Sequence, residues 1–413
     1  LFGAPPAWVP KFLFFETLGI RAQILAMDDR TFLGAPHGEK VALASFPRSG
    51  NSLMRDLIEK VTRVITGSDT KPTRGLSRQL REAGLAGEGR TDDTVWIVKT
   101  HWPERQGVSP FTVSKAIVLV RNPFDCLDSY FNMVLTSQHN TSVDETTYQQ
   151  WSGLWDEFVT NEAKVWSKFH RFWINKRDGR AGPSIPVHFV RYEDVMERRE
   201  EVLAGLVAFL TDGDVPLPTE CGAEGDDDTA ATLVQRATDI ARSGRGGVYR
   251  PRGSTSFLKS ASHFSSSQRR AVLHFTRAEL ADLGYARLSD LLVEASPCDE
   301  DVLIAAIDPL GDASAAINAS EGSAAGAAAP ARKVGISSAG LEPMPNISVS
   351  ASTSVLAVNR GPLVRARNDK FGRGFAWKKK YASKVAMTEE QKAAFEATFI
   401  HPNLEKGLPS KAK

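Results

Sequence analysis

The chain reads as an α/β protein: a P-loop-like parallel β-sheet with helices on both faces, hence a three-layer sandwich, plus a disordered C-terminal extension. Three observations lead there. Short continuous apolar runs at 41–44, 94–98, 116–120 and 186–190 alternate with longer stretches of helical periodicity, as in a parallel sheet covered on both faces. Charged residues (Arg48, Lys99, His101, Arg121) follow the ends of three of those runs, where such sheets bind ligands. From about residue 307 the composition turns to Ala, Ser, Gly and Pro, too poor in apolar surface to offset the entropy of ordering. The 413 residues divide into an N-terminal segment 1–37, a domain 38–300 and a low-complexity, largely disordered basic tail 301–413.

The stretch 41–55, VALASFPRSGNSLMR, organises the domain. It predicts a buried strand, a tight polar turn and a helix start. Such a turn aims backbone N–H groups and a helix N-terminus at one point, an anion site suited to phosphate. It overlays the P-loop pattern G-x-x-x-x-G-K-[ST] with two departures: Ser45 replaces the first Gly, and Asn51 replaces the Lys. Arg48 supplies positive charge from inside the loop.

Residues 52–65 carry apolar positions at helical spacing (Leu53, Leu57, Ile58, Val61, Ile65). Residues 66–93, rich in Gly, Thr, Asp and Arg, read as a long surface loop. A strand over 94–98 runs into Lys99-Thr100-His101, and one over 116–120 into Arg121-Asn122-Pro123. A helix follows to about 135, with Pro in its first turn. Aromatics at Trp151, Trp155, Phe158, Trp166, Phe169 and Trp173 predict a helix with a buried face. After the strand 186–190, a helix is expected over 195–210, with Asp194 as N-cap and Glu197 at the capping-box position. Glu193 and Asp194 are thus assigned to capping. Residues 211–230 form an acidic loop, 242–259 a basic one, and 268–283 a last amphipathic helix.

Net charge is +2 and charged residues make up 24% of the chain, so no nucleic-acid partner is expected. Three cysteines, Cys126, Cys221 and Cys298, are too few and too widely spaced for a disulfide framework or a metal site. Lys11, Glu16 and Arg21 interrupt the apolar stretch 8–27, short of the roughly 20 apolar residues a membrane helix needs. Because the chain begins with Leu, its natural start is expected upstream, and membrane attachment only if an anchor lies there. Sequons at Asn140, Asn318 and Asn346 are compatible with a secretory-pathway (Golgi) protein, and a cytoplasmic location stays open.

The strand that ends in Arg121 carries a cation where P-loop nucleotide enzymes place a metal-binding acid. The ligand then has two anionic ends, one on the Arg48 loop and one on Arg121. Phe46-Pro47-Arg48-Ser49-Gly50-Asn51-Ser52 resembles the 5′-phosphosulfate loop of the sulfotransferases that use 3′-phosphoadenosine 5′-phosphosulfate (PAPS). Val98-Lys99-Thr100-His101 resembles the Lys-Thr-His segment of their cytosolic branch. Val120-Arg121-Asn122-Pro123-Phe124-Asp125 through Ser129-Tyr130 is similar to the 3′-phosphate motif, with Arg121 and Ser129 at its spacing of eight. Arg191-Tyr192-Glu193-Asp194 resembles the segment whose Tyr lies near the adenine. Arg252-Gly253, with Lys259 following, is similar to the basic loop over the 3′-phosphate. These matches run in family order from 41 to 275. Departures are Arg48, where cytosolic members carry Lys, and Leu53, where many carry an adenine-stacking Trp.

The resemblance implies a metal-free sulfuryl transfer from PAPS to a hydroxyl or amine of an acceptor, a small molecule or glycan. Arg48, Lys99 and His101 would be catalytic, with His101 as general base. Arg48, Ser49, Gly50, Asn51, Ser52, Leu53, Arg121, Ser129, Tyr192, Arg252 and Gly253 would bind the donor. The alternatives are a P-loop nucleoside or sugar kinase, which Asn51 and Arg121 oppose, and a catalytically dead nucleotide-binding module, which Lys99 with His101 opposes.

Overall fold

A computed structural model describes residues 30–34, 39–139, 142–212, 235–236, 238–239, 257–295, 341, 344 and 354–365. A five-stranded, all-parallel sheet forms its centre, in the order β2 (Gly67–Ser68), β3 (Ile97–Thr100), β1 (Val41–Ser45), β5 (Lys115–Val120), β6 (Val187–Arg191). The central strand β1 has Val41 opposite Ile97 on one side and Lys115 on the other.

Alternation along the strands divides the core into two layers, because successive side chains point to opposite faces. Ala42, Ala44, Ala116, Val118 and Val120 join one cluster, packed under α3 (Pro123–Thr136), α5 (Ser152–Arg177) and α8 (Ser266–Asp282). Val41, Leu43, Ile117 and Leu119 join the other, with α1 (Asn51–Thr62) and α7 (Arg199–Thr211). This is the expected three-layer sandwich. The aromatic face of α5 is core: Trp155, Phe158, Trp166, Phe169 and Trp173 are all buried.

Several local expectations are corrected. The stretch 66–93 holds strand β2, which extends the sheet beside β3, and helix α2 (Gly75–Glu82). Strand β3 starts at Ile97, so Lys99 and Thr100 lie within it. The predicted helix 195–210 is two helices, α6 (Tyr192–Glu197) and α7, broken at Arg198, which leaves the helical region (φ −127°, ψ 47°). Its guanidinium turns back onto Asp194 at 3.0 Å. Asp194 therefore lies inside α6 and pairs with Arg191 at 2.8 Å, and no side chain caps that helix. Glu193 instead accepts from the Asn122 backbone N–H (3.0 Å), the Asn122 amide (2.8 Å) and the Tyr285 hydroxyl (2.6 Å). It ties the end of β5 to α6.

Part of the span assigned to the tail belongs to the domain. Leu356–Val358 forms β7, antiparallel to β4 (Phe111–Val113), and Asn359 and Arg365 are buried. Short apolar and polar positions there acquire partners only from elements far away in sequence. The rest of the tail, the segment 1–29 and the three sequons lie outside the described residues.

Candidate functional site

The loop from β1 to α1 turns on two left-handed residues, Arg48 (φ 72°) and Gly50 (φ 94°). For a non-glycine such a conformation costs about 1–2 kcal/mol, a strain typical of ligand-holding loops. Gly50 is required twice over, because a Cβ there would also run into the Tyr192 ring. No side chain caps α1 at its start. The N–H groups of its first turn, which have no intrahelical acceptor, are left for an anion.

The loop's side chains divide into those that build it and those that face the site. Asn51 donates to Ser45 Oγ (3.0 Å) and the Leu43 carbonyl (3.3 Å), so its side chain locks α1 to β1. Leu53 is buried in the core beneath α1. Ser49 Oγ contacts Cys126 Sγ at 3.5 Å, and Cys126, held between this hydroxyl and the Pro47 carbonyl, is a buried packing residue whose thiol burial pushes up to about 12. The Ser49 N–H is itself bonded to the Phe46 carbonyl (3.3 Å), whereas Asn51 and Leu53 lie in the uncapped first turn of α1.

Arg48 lies across to α3. Its Nε donates to Ser129 Oγ at 3.0 Å, and its Nη2 to the His139 carbonyl at 3.0 Å. The fold thus unites Arg48 and Ser129, which the motifs had assigned to opposite ends of the ligand. His139, unmarked by any motif, is a third partner. Its Nε2 must donate to the Leu76 carbonyl (3.2 Å), so Nδ1 accepts from Arg48 Nη1 (3.2 Å). Burial and the Arg48 cation bring His139 down to about 4, so it stays neutral beside that cation.

Arg121 follows β5, and its Nη1 donates to the Arg48 carbonyl at 3.1 Å. Its guanidinium lies 4.6 Å over the Tyr192 ring. Among the described residues its Nε is buried without a partner. Burial opposes its charge, but Asp125 and Tyr192 hold the guanidinium above its ordinary pKa. An orphaned, charged donor beside an uncapped helix start is what an anion would satisfy. Asp125 and Asp128 also anchor Ser260, through its N–H (2.9 Å) and hydroxyl (2.9 Å). The exposed Lys259 is thereby fixed by its neighbour near the start of α3. Arg252 and Gly253 lie outside the described residues.

Lys99 and His101 stand at the end of β3, next to β1. Lys99 is buried and donates to Thr70 Oγ1 at 2.5 Å. Burial lowers its pKa against the pull of Glu88 and Asp69. His101 Nδ1 donates to the Ser45 carbonyl at 2.7 Å, which leaves Nε2 as the basic nitrogen. Burial, with the Lys99 and Arg105 cations, drives the imidazole well below its usual pKa. At neutral pH His101 is a base with a fixed tautomer. Next to it, Glu104 would be raised by burial, but Arg105 and Arg365 bring it down to about 2.

Residues 39–213 match the family described as the sulfotransferase domain. Among proteins similar to this chain is the WSCD family member CG9164 of Drosophila melanogaster, 34% identical over 170 residues, or 41% of this chain and 49% of the relative. The WSCD family member AAEL009094 of Aedes aegypti is 31% identical over 173 residues, or 42% and 50%. The chain spans about half the length of these relatives. Among solved structures, mouse sulfotransferase SULT7A1 complexed with PAP aligns over 67% of this chain and 91% of its own, at 14% identity and a TM-score of 0.33.

Proposed function

We propose, from the match of residues 39–213 to the sulfotransferase domain, that the chain transfers a sulfuryl group from PAPS to a hydroxyl or amine of an acceptor, a small molecule or glycan. The observation that carries this reading is the pair formed by Arg48 and Arg121 around an uncapped helix start, with the buried Nε of Arg121 lacking a partner among the described residues. Two cations and a set of free N–H groups suit a ligand with two anionic groups.

The bound donor supplies an electrophilic sulfur and a bisphosphate leaving group. First-turn N–H groups of α1 and the Arg48 guanidinium bind the 5′ end and stabilise charge there. Arg121 and Ser129 would hold the 3′-phosphate, with Tyr192, whose ring packs under Arg121, toward the adenine. His101 Nε2 takes the acceptor's proton as the new S–O (or S–N) bond forms and the bond to the 5′-phosphate breaks. Lys99, whose Nζ donates to Thr70 Oγ1, would stabilise the charge that grows on the departing oxygen.

Calorimetric titration tests this with 3′-phosphoadenosine 5′-phosphate (PAP), ADP and ATP, with and without Mg. The expected result is micromolar, metal-independent binding of PAP, weakened about 10- to 100-fold by Arg121→Ala, the usual size of a charge-assisted bond. Preference for Mg-ATP would overturn the reading.

A further inference from the structure

We propose that the C-terminal strap 356–365 is a working part of the site, in which Asn359 and Arg365 position the loop that carries His101. The role of Lys99 and His101 in this inference rests on the sulfotransferase reading.

The strap enters as β7 beside β4, with Leu356 opposite Val113 and Val358 opposite Phe111. It then turns at Asn359, which holds a left-handed conformation (φ 62°) that Asn tolerates better than most residues. All of its side-chain bonds go to two segments beside the site. Nδ2 donates to Asp69 Oδ2 (3.0 Å) and the Ser109 carbonyl (2.8 Å), and Oδ1 accepts from the Gly107 N–H (2.7 Å). The Asn359 carbonyl accepts from Gln106 Nε2 at 3.1 Å. A Cβ on Gly107 would meet both the Asp69 carboxylate and the Asn359 amide, so the approach needs glycine on one side.

Asp69 links the strap to the reacting end of β3. The same Oδ2 accepts from Thr100 Oγ1 at 2.6 Å, between Lys99 and His101, and its charge faces Lys99. Further on, Val364 N–H donates to the Pro103 carbonyl at 3.0 Å. Arg365 Nε donates to Glu104 Oε1 at 2.9 Å, and its two terminal nitrogens form a fork with Glu162 at 2.5 Å each. Glu104 and Glu162 are fully buried. Glu104 also holds Arg105, and this pair flanks His101. Without Arg365, Glu104 would keep Arg105 but lose its second guanidinium, and the fully buried Glu162 would lose both bonds of its fork, a cost that buried charge does not tolerate. The loop 101–110 would relax toward water, and His101 with it. A small displacement of a catalytic group costs turnover far more than binding.

The full-length chain tests this as Arg365→Ala, Arg365→Lys and Asn359→Ala. Three quantities are read: affinity for PAP, hydrolysis of PAPS with water as acceptor, and amide hydrogen exchange. We expect Arg365→Ala and Asn359→Ala to slow hydrolysis about 10- to 100-fold and to speed exchange over 101–109, with PAP affinity within about twofold, because the donor groups Arg48 and Arg121 lie on other strand ends. Arg365→Lys should recover part of both. Unchanged hydrolysis and exchange overturn the proposal. So does loss of PAP binding together with faster exchange throughout β1 and β5, which marks general unfolding. Failure of the wild-type chain to bind PAP would strike the donor reading instead, and exchange over 101–109 would still decide whether the strap holds the loop.

Discussion

In the proposed reaction the acceptor's proton goes to His101 Nε2. Its partner nitrogen is committed to the Ser45 carbonyl, so the ring can neither flip nor change tautomer without losing that bond. A positioned base is worth about 10²–10⁴-fold, and His101→Ala should lose that much turnover while PAP affinity holds. Sign matters for pH. Burial and two neighbouring cations disfavour the imidazolium, so the base form persists as pH falls below the ordinary histidine value of about 6.5. The acid limb of kcat/KM should therefore lie below pH 6.5 and vanish in the His101→Ala residual rate. A limb above that value would contradict the assignment. Arg48, Lys99, His101 and Arg121 could be placed at strand ends from sequence because each stands within four residues of the end of an apolar run. Asn51 and Leu53 were not assignable from their motif position, since one register of α1 decides whether a side chain faces β1, the core or the ligand.

At the level of elements, secondary structure was best read where a local signal was strong. Helix α8 is legible in its amphipathic period over 268–283; it begins at Ser266, at a complete capping box that this period does not mark, with Ser265 Oγ accepting from the Gln268 N–H (3.3 Å) and Gln268 Oε1 from the Ser265 N–H (2.8 Å). Ser265→Ala should cost about 1 kcal/mol, seen as a lower urea midpoint with an unchanged slope; no shift would show that Gln268 alone suffices. Helix α3 starts where Asn122-Pro123 announced it, Asn122 Oδ1 accepting from the Asp125 N–H at 2.9 Å. The break at Arg198 had no such signal. Neither glycine nor proline marks it, and what bends the chain there is Asp194, shared between Arg191 and Arg198. Strand β2 was missed because two residues, Gly67 and Ser68, have no periodicity to detect, and only the exposed edge of β3 makes them a strand.

Across the whole molecule, burial of ionisable groups sets the response to acid. Burial lowers His170 to about 3, and also His188 to about 4; for His139 the Arg48 cation adds to it. A histidine depressed in the fold binds its proton more readily once unfolded. It therefore contributes stability that is full above about pH 6.5 and is lost as pH falls toward the folded value. The buried carboxyls of Glu59, Asp69 and Glu193, raised by burial, act in the opposite sense: their contribution is full below the ordinary carboxyl value and is lost as pH rises toward the raised one. The contribution of His170 is isolated by comparing wild type with His170→Phe in urea between pH 7 and pH 4. The stability difference should move against the wild type as pH drops, by up to about 1.4 kcal/mol per pH unit; a constant difference would reject a neutral buried His170. Among the described residues no helix is long and apolar enough to cross a membrane.

The amino-acid sequence by itself determined the parallel sheet, the two-sided core and the strand ends at which Arg48, Lys99, His101 and Arg121 emerge. Those features depend on hydrophobic period and on neighbours a few residues away. Tertiary structure alone decided which groups face one another. It set His139 on Arg48, the Tyr192 ring under Arg121, Asp69 beside Thr100, and Asn359 and Arg365 behind the His101 loop. Each of those pairs joins residues tens to hundreds of positions apart, and a side chain's partner at that separation is fixed by packing rather than by any pattern along the chain.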